Sequence, residues 1–82
     1  MPYRLTSRSN IFNAIRLYVD RMGWNTNGFT PIQVANAGIW RNPRTIMTFI
    51  PKHCHTPTLY FRRVKKGGGY VYFVLDQWML RV

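Results

Sequence analysis

Apolar residues recur at helical spacing in the first part of the chain. One helical face would carry Ile11, Phe12, Ile15, Tyr18, Val19 and Met22. Ser9 is suited to the N-cap of such a helix, and Gly23 is suited to the left-handed residue that follows a helix. The pattern predicts a first helix at residues 10–22, preceded by a basic arm at residues 1–9.

Two further helices are indicated by a capping side chain placed before a proline. This signal occurs at Thr30–Pro31 and again at Asn42–Pro43. Short apolar stripes follow in both cases, and they stop at Gly38 and at Pro51. We expect a second helix of about two turns before Gly38 and a third helix at residues 43–50.

Beyond Pro57 the pattern changes to aromatic and β-branched residues on both sides of Gly67–Gly69. Such runs around glycines predict two strands of a β-hairpin. The face expected to cover the helices consists of Leu59, Phe61, Val71, Phe73 and Leu75. The face expected to meet solvent consists of Tyr60, Arg62, Tyr70 and Tyr72. The apolar segment Gln77–Val82 must then pack against the first helix or against a second subunit.

Length and charge define the class of protein and its leading partner. Eighty-two residues fill one small domain, and a hydrophobic content of 46% is sufficient for its core. Twelve Lys and Arg against two acids give a net charge of +10, which attracts polyanions. Nine of the twelve are Arg, the better residue for paired contacts with phosphate or guanine. Nucleic acid is therefore favoured over a merely soluble basic surface.

The cysteine content and the hydropathy point to a cytoplasmic protein. Cys54 is the single cysteine, so no disulfide can form within the chain and a reducing compartment is expected. No window approaches the roughly 18 apolar residues that a membrane span requires, and the first residues lack the apolar run of a signal peptide. We expect no membrane partner.

Three features that could carry other chemistry are weak. The triplet His53–His55 contains metal-ligand types, but three neighbours cannot easily surround one ion and no other Cys or His completes a zinc site. Only Asp20 and Asp76 could orient a catalytic histidine. Gly67–Gly69 lacks the spaced glycine and lysine of a phosphate loop. We expect no metal, no other cofactor and no enzymatic activity.

The order of helix, helix, turn, helix and basic hairpin at residues 10–75 resembles winged helix-turn-helix DNA-binding domains. Val34–Ala35 is similar to the small-residue position of the second helix, Gly38–Ile39 to the turn, and Thr45–Ile46 to the start of the recognition helix. The resemblance implies an α+β fold, in which a three-helix helix-turn-helix core is followed by a two-stranded hairpin wing. Residues 10–82 would form this single domain.

The resemblance also implies roles for particular residues, because the third helix of such domains enters the major groove. The residues expected to contact base edges are Arg44, Thr45 and Thr48. The residues expected to contact the DNA backbone are Arg41, Asn42, Lys52, Arg62, Arg63, Lys65 and Lys66. The last four belong to a wing at residues 62–69. The alternatives are a helix whose polar side faces water and a hairpin whose lysines only prevent strand aggregation.

The sequence thus predicts a sequence-specific double-stranded DNA-binding protein, a small transcriptional regulator of a kind common in phage and mobile elements. A homodimer through the C-terminal segment is also expected. One alternative is a protein-interaction module on the same scaffold, with a protein as its partner. Others are an architectural DNA-bending protein and an RNA-binding or single-strand-binding protein, since Tyr60, Tyr70 and Tyr72 could stack on bases. Trp24, Trp40 and Trp78 could also stack on bases, but they are expected to be core or interface anchors.

Overall fold

The computed structural model describes residues 7–55 and 59–79. In order, the elements are α1 (Ser7–Met22), α2 (Pro31–Asn36), α3 (Pro43–Lys52), β1 (Phe61–Lys66), β2 (Gly69–Val74) and a 3-10 turn at Asp76–Trp78. The strands form one antiparallel hairpin, so the fold is α+β. Within these two ranges, every helix is too short or too polar to cross a bilayer.

The first helix starts earlier than predicted. α1 begins at Ser7, so Ser9 lies within the helix and does not cap it. The prediction that residues 7–9 belong to an arm was therefore wrong. The polar residues before Ile11 show no apolar periodicity, and yet they continue the helix. Residues 1–6 of the predicted arm lie outside the described residues. Arg8 consequently belongs to a helix that is anchored in the core by Ile11, which is buried.

The far end of α1 is as predicted. Gly23 has φ +70° and its N–H donates to the carbonyl of Asp20 at 3.2 Å. The N–H of Trp24 donates to the carbonyl of Val19 at 3.1 Å. This pair of bonds is the Schellman arrangement, which a glycine with positive φ permits.

The predicted caps of the two shorter helices are confirmed. Thr30 is the N-cap of α2, and its N–H donates to Oε1 of Gln33 at 2.8 Å. Asn42 is the N-cap of α3, and its Oδ1 accepts a hydrogen bond from the N–H of Arg44 at 3.0 Å. Each helix then begins with a proline, which has no N–H to leave unsatisfied.

The end of α3 lies beyond the predicted position. The helix continues through Pro51 to Lys52, so the prediction that it stops at residue 50 was wrong. A proline in the last turn removes one backbone hydrogen bond, but the chain stays helical around it. The N–H of His53 still closes the helix on the carbonyl of Phe49 at 3.2 Å.

The hairpin register differs from the predicted one. Lys66 pairs with Gly69, which leaves Gly67–Gly68 as a two-residue turn. A shift of one residue along a strand moves every side chain to the opposite face. The face that packs against the helices therefore carries Phe61, Tyr72 and Val74, all buried. Val71 and Phe73, which were predicted there, lie on the other face.

The loop between α1 and α2 covers the second edge of β2. Phe29 and Tyr72 exchange two backbone hydrogen bonds, of 2.9 and 2.7 Å. The side chain of Asn25 accepts from the N–H of Val74 at 2.7 Å and donates to its carbonyl at 2.9 Å. The segment predicted only as a turn thus satisfies an edge that would otherwise be open to pairing with another chain.

Gly28 in this loop lies against the outer face of the hairpin. It has φ +92°, and a Cβ at this position would lie 3.0 Å from side-chain atoms of Val71 and Phe73. The close approach explains why these two apolar residues are only partly exposed.

The 3-10 turn packs on α1 within the same chain. The ring of Trp78 meets Phe12 and Tyr60 edge to face, with centroid distances of 5.6 and 5.3 Å. Its Nε1 donates to the carbonyl of Leu59 at 3.1 Å. Of the two predicted ways to bury the C-terminal segment, Trp78 takes the one within the chain. Dimerisation stays a prediction, and residues 80–82, on which it also depends, lie outside the described residues.

Asn25 offers a test of the loop contact. We expect Asn25→Ala to lower the free energy of unfolding by about 1–3 kcal/mol, because the N–H of buried Val74 would lose its partner. Asn27→Ala in the same loop is the control, and at this exposed position we expect a change within about 0.5 kcal/mol. Urea denaturation measures both. Equal stability of the two variants would contradict the contact.

Candidate nucleic-acid interface

One face of α3 is exposed and carries the predicted base contacts. The helix packs into the core through Ile46, Phe49 and Ile50, which directs the opposite side outward. Arg44, Thr48 and Lys52 follow one another at intervals of four residues and are all exposed, so they form a row along the helix. Thr45 lies beside this row and is half-buried.

The exposed face of α3 borders a groove of about 600 Å³, to which α1 also contributes. Asn42, Arg44, Thr45, Thr48 and Lys52 line it, so the three predicted base contacts and two of the predicted backbone contacts are brought together. Arg8 and Ile11 line it from α1, and Phe49 and His53 complete it. None of these lining residues is acidic, which makes the groove an electropositive site.

The start of α3 is capped and basic. Asn42 uses its side-chain oxygen to cap the helix, so it orients Arg44 in addition to any contact of its own. Arg41 lies outside the main groove, in an adjoining pocket of about 420 Å³ that it shares with Asn42 and Trp40. Trp40 is half-buried and packs against the core, as expected. Trp24 and Trp78 do the same.

The four basic residues of the hairpin lie on two opposite faces. Arg63 and Lys65 occupy the face that also carries Phe61, whereas Arg62 and Lys66 occupy the other, since side chains alternate along a strand. Each arginine lies over an aromatic ring of β2. Arg62 is 4.9 Å from the centroid of Phe73, and Arg63 is 4.5 Å from that of Tyr70. Such cation–π contacts limit the orientations of both guanidinium groups.

The helix-facing side of the hairpin adjoins the end of α3. Burial raises the pKa of the Cys54 thiol, and the positive charge of Arg63 lowers it in part. The N–H groups of Tyr60 and Phe61 both donate to the carbonyl of His53, at 3.0 and 3.2 Å, so the base of the hairpin is joined to the end of α3.

The triplet His53–His55 is divided by the fold. The ring of His53 is buried next to Phe49 and Tyr60, at centroid distances of 4.2 and 5.4 Å. The Cys54 thiol donates to a backbone carbonyl of α3 at 3.2 Å, while His55 is exposed. Within residues 7–55 and 59–79, no three His, Cys, Asp or Glu side chains are grouped so that they could hold a metal ion.

Only one of the three hairpin tyrosines is presented to solvent. Tyr70 is 45% exposed, but Tyr72 is buried and Tyr60 stacks on Phe12 with centroids 4.1 Å apart. The prediction that these tyrosines share an exposed face was wrong for Tyr60 and Tyr72. The reason is the register of β2, which turns Tyr72 toward the helices.

Arg8 lines the groove but was missed by the sequence analysis, which assigned it to an arm. The exposed Met47 on α3 was not considered either. The interval of three residues from Arg44 to Met47 would have indicated a shared face. No signal in the sequence brings Arg8 next to α3.

Comparisons of the chain with protein-family models, with curated proteins and with solved structures find no match. The chemistry of α3, α1 and the hairpin is therefore the basis on which function is inferred.

The cap of α3 gives a test of how the site is built. We expect Asn42→Ala to lower the free energy of unfolding by about 1 kcal/mol, because the N–H of Arg44 loses its acceptor. Asn42→Asp retains an oxygen in the same place and should keep the stability of the parent. Urea denaturation of both variants measures the difference. A stable Ala variant would show that the cap does not hold the helix start.

Proposed function

We propose that this chain is a sequence-specific double-stranded DNA-binding protein of the winged helix-turn-helix kind, acting as a small transcriptional regulator. In this proposal α3 lies in the major groove, and the wing at residues 62–69 lies on the flanking backbone or in the minor groove. The observation that carries it is the groove on α3. There Arg44, Thr45 and Thr48 stand together, beside Lys52 and without an acidic neighbour.

The dimensions and the chemistry of α3 support this role. An α-helix with its side chains is about 10–12 Å across, and the major groove of B-DNA is about 12 Å wide. Arg44 lies in the first turn, which is the end of a recognition helix that meets base edges. Its guanidinium can donate to O6 and N7 of one guanine, and Thr48 can donate to a base or touch a thymine methyl. Met47, 39% exposed, adds an apolar contact of the latter kind.

The hairpin supports the same function through its charge and its attachment. Lys65 and Lys66 directly precede a turn of two glycines, which offers no side chain to obstruct a sugar–phosphate backbone. The base of the hairpin is joined to the end of α3, because the N–H groups of Tyr60 and Phe61 both donate to the carbonyl of His53. A duplex bound to α3 would therefore meet a second basic element beyond the C-terminal end of the helix.

Single-stranded nucleic acid is less well supported. Binding of single strands relies on exposed aromatic rings on which successive bases stack. Tyr70 is the one hairpin tyrosine that is available for this, since Tyr60 and Tyr72 are used within the fold. Arg44, Thr48 and Lys52, exposed on α3, are hydrogen-bonding or cationic groups, which suit the edges and phosphates of a duplex.

Selection from a random duplex library, with single-stranded DNA and RNA as competitors, tests the proposal. We expect the parent protein to enrich one duplex motif. Arg44→Ala should lose the preference at one position, equivalent to about 1–3 kcal/mol of discrimination. Lys65→Ala should weaken binding to all duplex sequences alike, and it should reduce the slope of log affinity against log salt concentration by about one.

Arg21→Ala is the matched control, because Arg21 is exposed at the far end of α1. It should leave both the motif and most of the affinity unchanged. A parent protein that prefers single strands, or that enriches no duplex, would contradict the proposed function.

A further inference from the structure

We propose that the first turn of α1 is part of the DNA interface, and that Arg8 binds a phosphate of the backbone strand next to α3. This inference rests on the proposed function. It adds a contact from Arg8, a residue that the sequence pattern assigned to a terminal arm. It makes the interface three-sided, with α1 beside α3 and the hairpin beyond its end.

The position of Arg8 is fixed by the fold. Arg8 lies in α1 and is exposed, and it lines the same groove as Arg44 and Lys52. Ile11, one turn later, is buried in the core and also lines the groove. The guanidinium is therefore carried by a helix whose next turn is anchored in the core that α3 shares.

The geometry of B-DNA indicates what an element beside α3 would meet. A helix about 10–12 Å across occupies nearly the whole width of a major groove of about 12 Å. A second element at the side of such a helix therefore has no room in the same groove. It stands instead at the wall of the groove, which is formed by the phosphodiester backbone. α1 contributes to the same core and the same groove as α3, and Arg8 is the charged residue that it presents there.

The chemistry of the groove fits a sugar–phosphate segment. Arg8, Arg44 and Lys52 supply positive charge from two helices, and Arg can bind a phosphate through two parallel hydrogen bonds. Ile11 and Phe49 also line the groove, so a small part of its wall is apolar and suited to the carbon face of a deoxyribose. The volume of about 600 Å³ lies within the range of roughly 300–1,000 Å³ that holds ligands of this size.

Substitution of Arg8 tests the contact. Each phosphate that is neutralised contributes about 0.9 to the salt slope. Arg8→Ala should therefore weaken binding of every duplex by up to about tenfold at 0.1 M salt and reduce the slope by about one. The preferred motif should not change, because a phosphate carries no sequence information. Arg8→Lys should recover most of the affinity, and Arg21→Ala on the same helix is the control.

Neutral phosphates locate the contact. Phosphates of the selected duplex are replaced one at a time by uncharged methylphosphonate, and affinities are measured for the parent protein and for Arg8→Ala. We expect one flanking position at which the replacement weakens the parent but no longer affects the variant.

The outcomes separate this inference from the proposed function. If Arg8→Ala behaves as Arg21→Ala while Arg44→Ala still abolishes a preference, the contact from α1 is wrong and the function stands. If Arg8→Ala changes the motif, Arg8 contacts a base and the phosphate assignment is wrong. A parent protein that binds no duplex overturns both.

Discussion

The burial of Phe61 at the base of the hairpin is the contact on which the arrangement of the other elements depends. Its side chain is fully buried, and its ring lies 5.6 Å from Phe12 of α1, 6.3 Å from Phe29 before α2 and 6.1 Å from Phe49 of α3. Burial of one such ring contributes about 1.5–3 kcal/mol. Because one residue of β1 meets all three helical regions, the basic hairpin has a defined position relative to α3.

The same packing determines which polar groups face outward. Phe49 packs against Phe61 in the core. Because of the helical period, Arg44, Thr48 and Lys52 then point away from the core. The two acidic residues lie elsewhere, Asp20 near the end of α1 and Asp76 in the 3-10 turn. No acidic side chain therefore lines the groove to offset its positive charge. This local charge results from the packing of the core as well as from the basic amino-acid composition of the chain.

The sequence was sufficient for features that depend on a side chain and its nearest backbone. The caps at Thr30 and Asn42 and the end of α1 at Gly23 are local in this sense, and all were predicted. The register of β2 was not, since Tyr70–Val74 is apolar on both faces and only the packing on the helices selects one. The place of Arg8 depends equally on tertiary contacts, because nothing within residues 7–10 indicates that α1 begins there or lies beside α3.

The most direct test of the account is a map of backbone amide chemical shifts of the whole chain on addition of a short DNA duplex. The largest changes are expected at Arg8, along residues 43–52 and around the hairpin turn, with little change at Arg21 or in the 3-10 turn at Asp76–Trp78. Changes concentrated on Arg21 and Asp76–Trp78, with α3 unaffected, would contradict the claim that the exposed face of α3 is the interface.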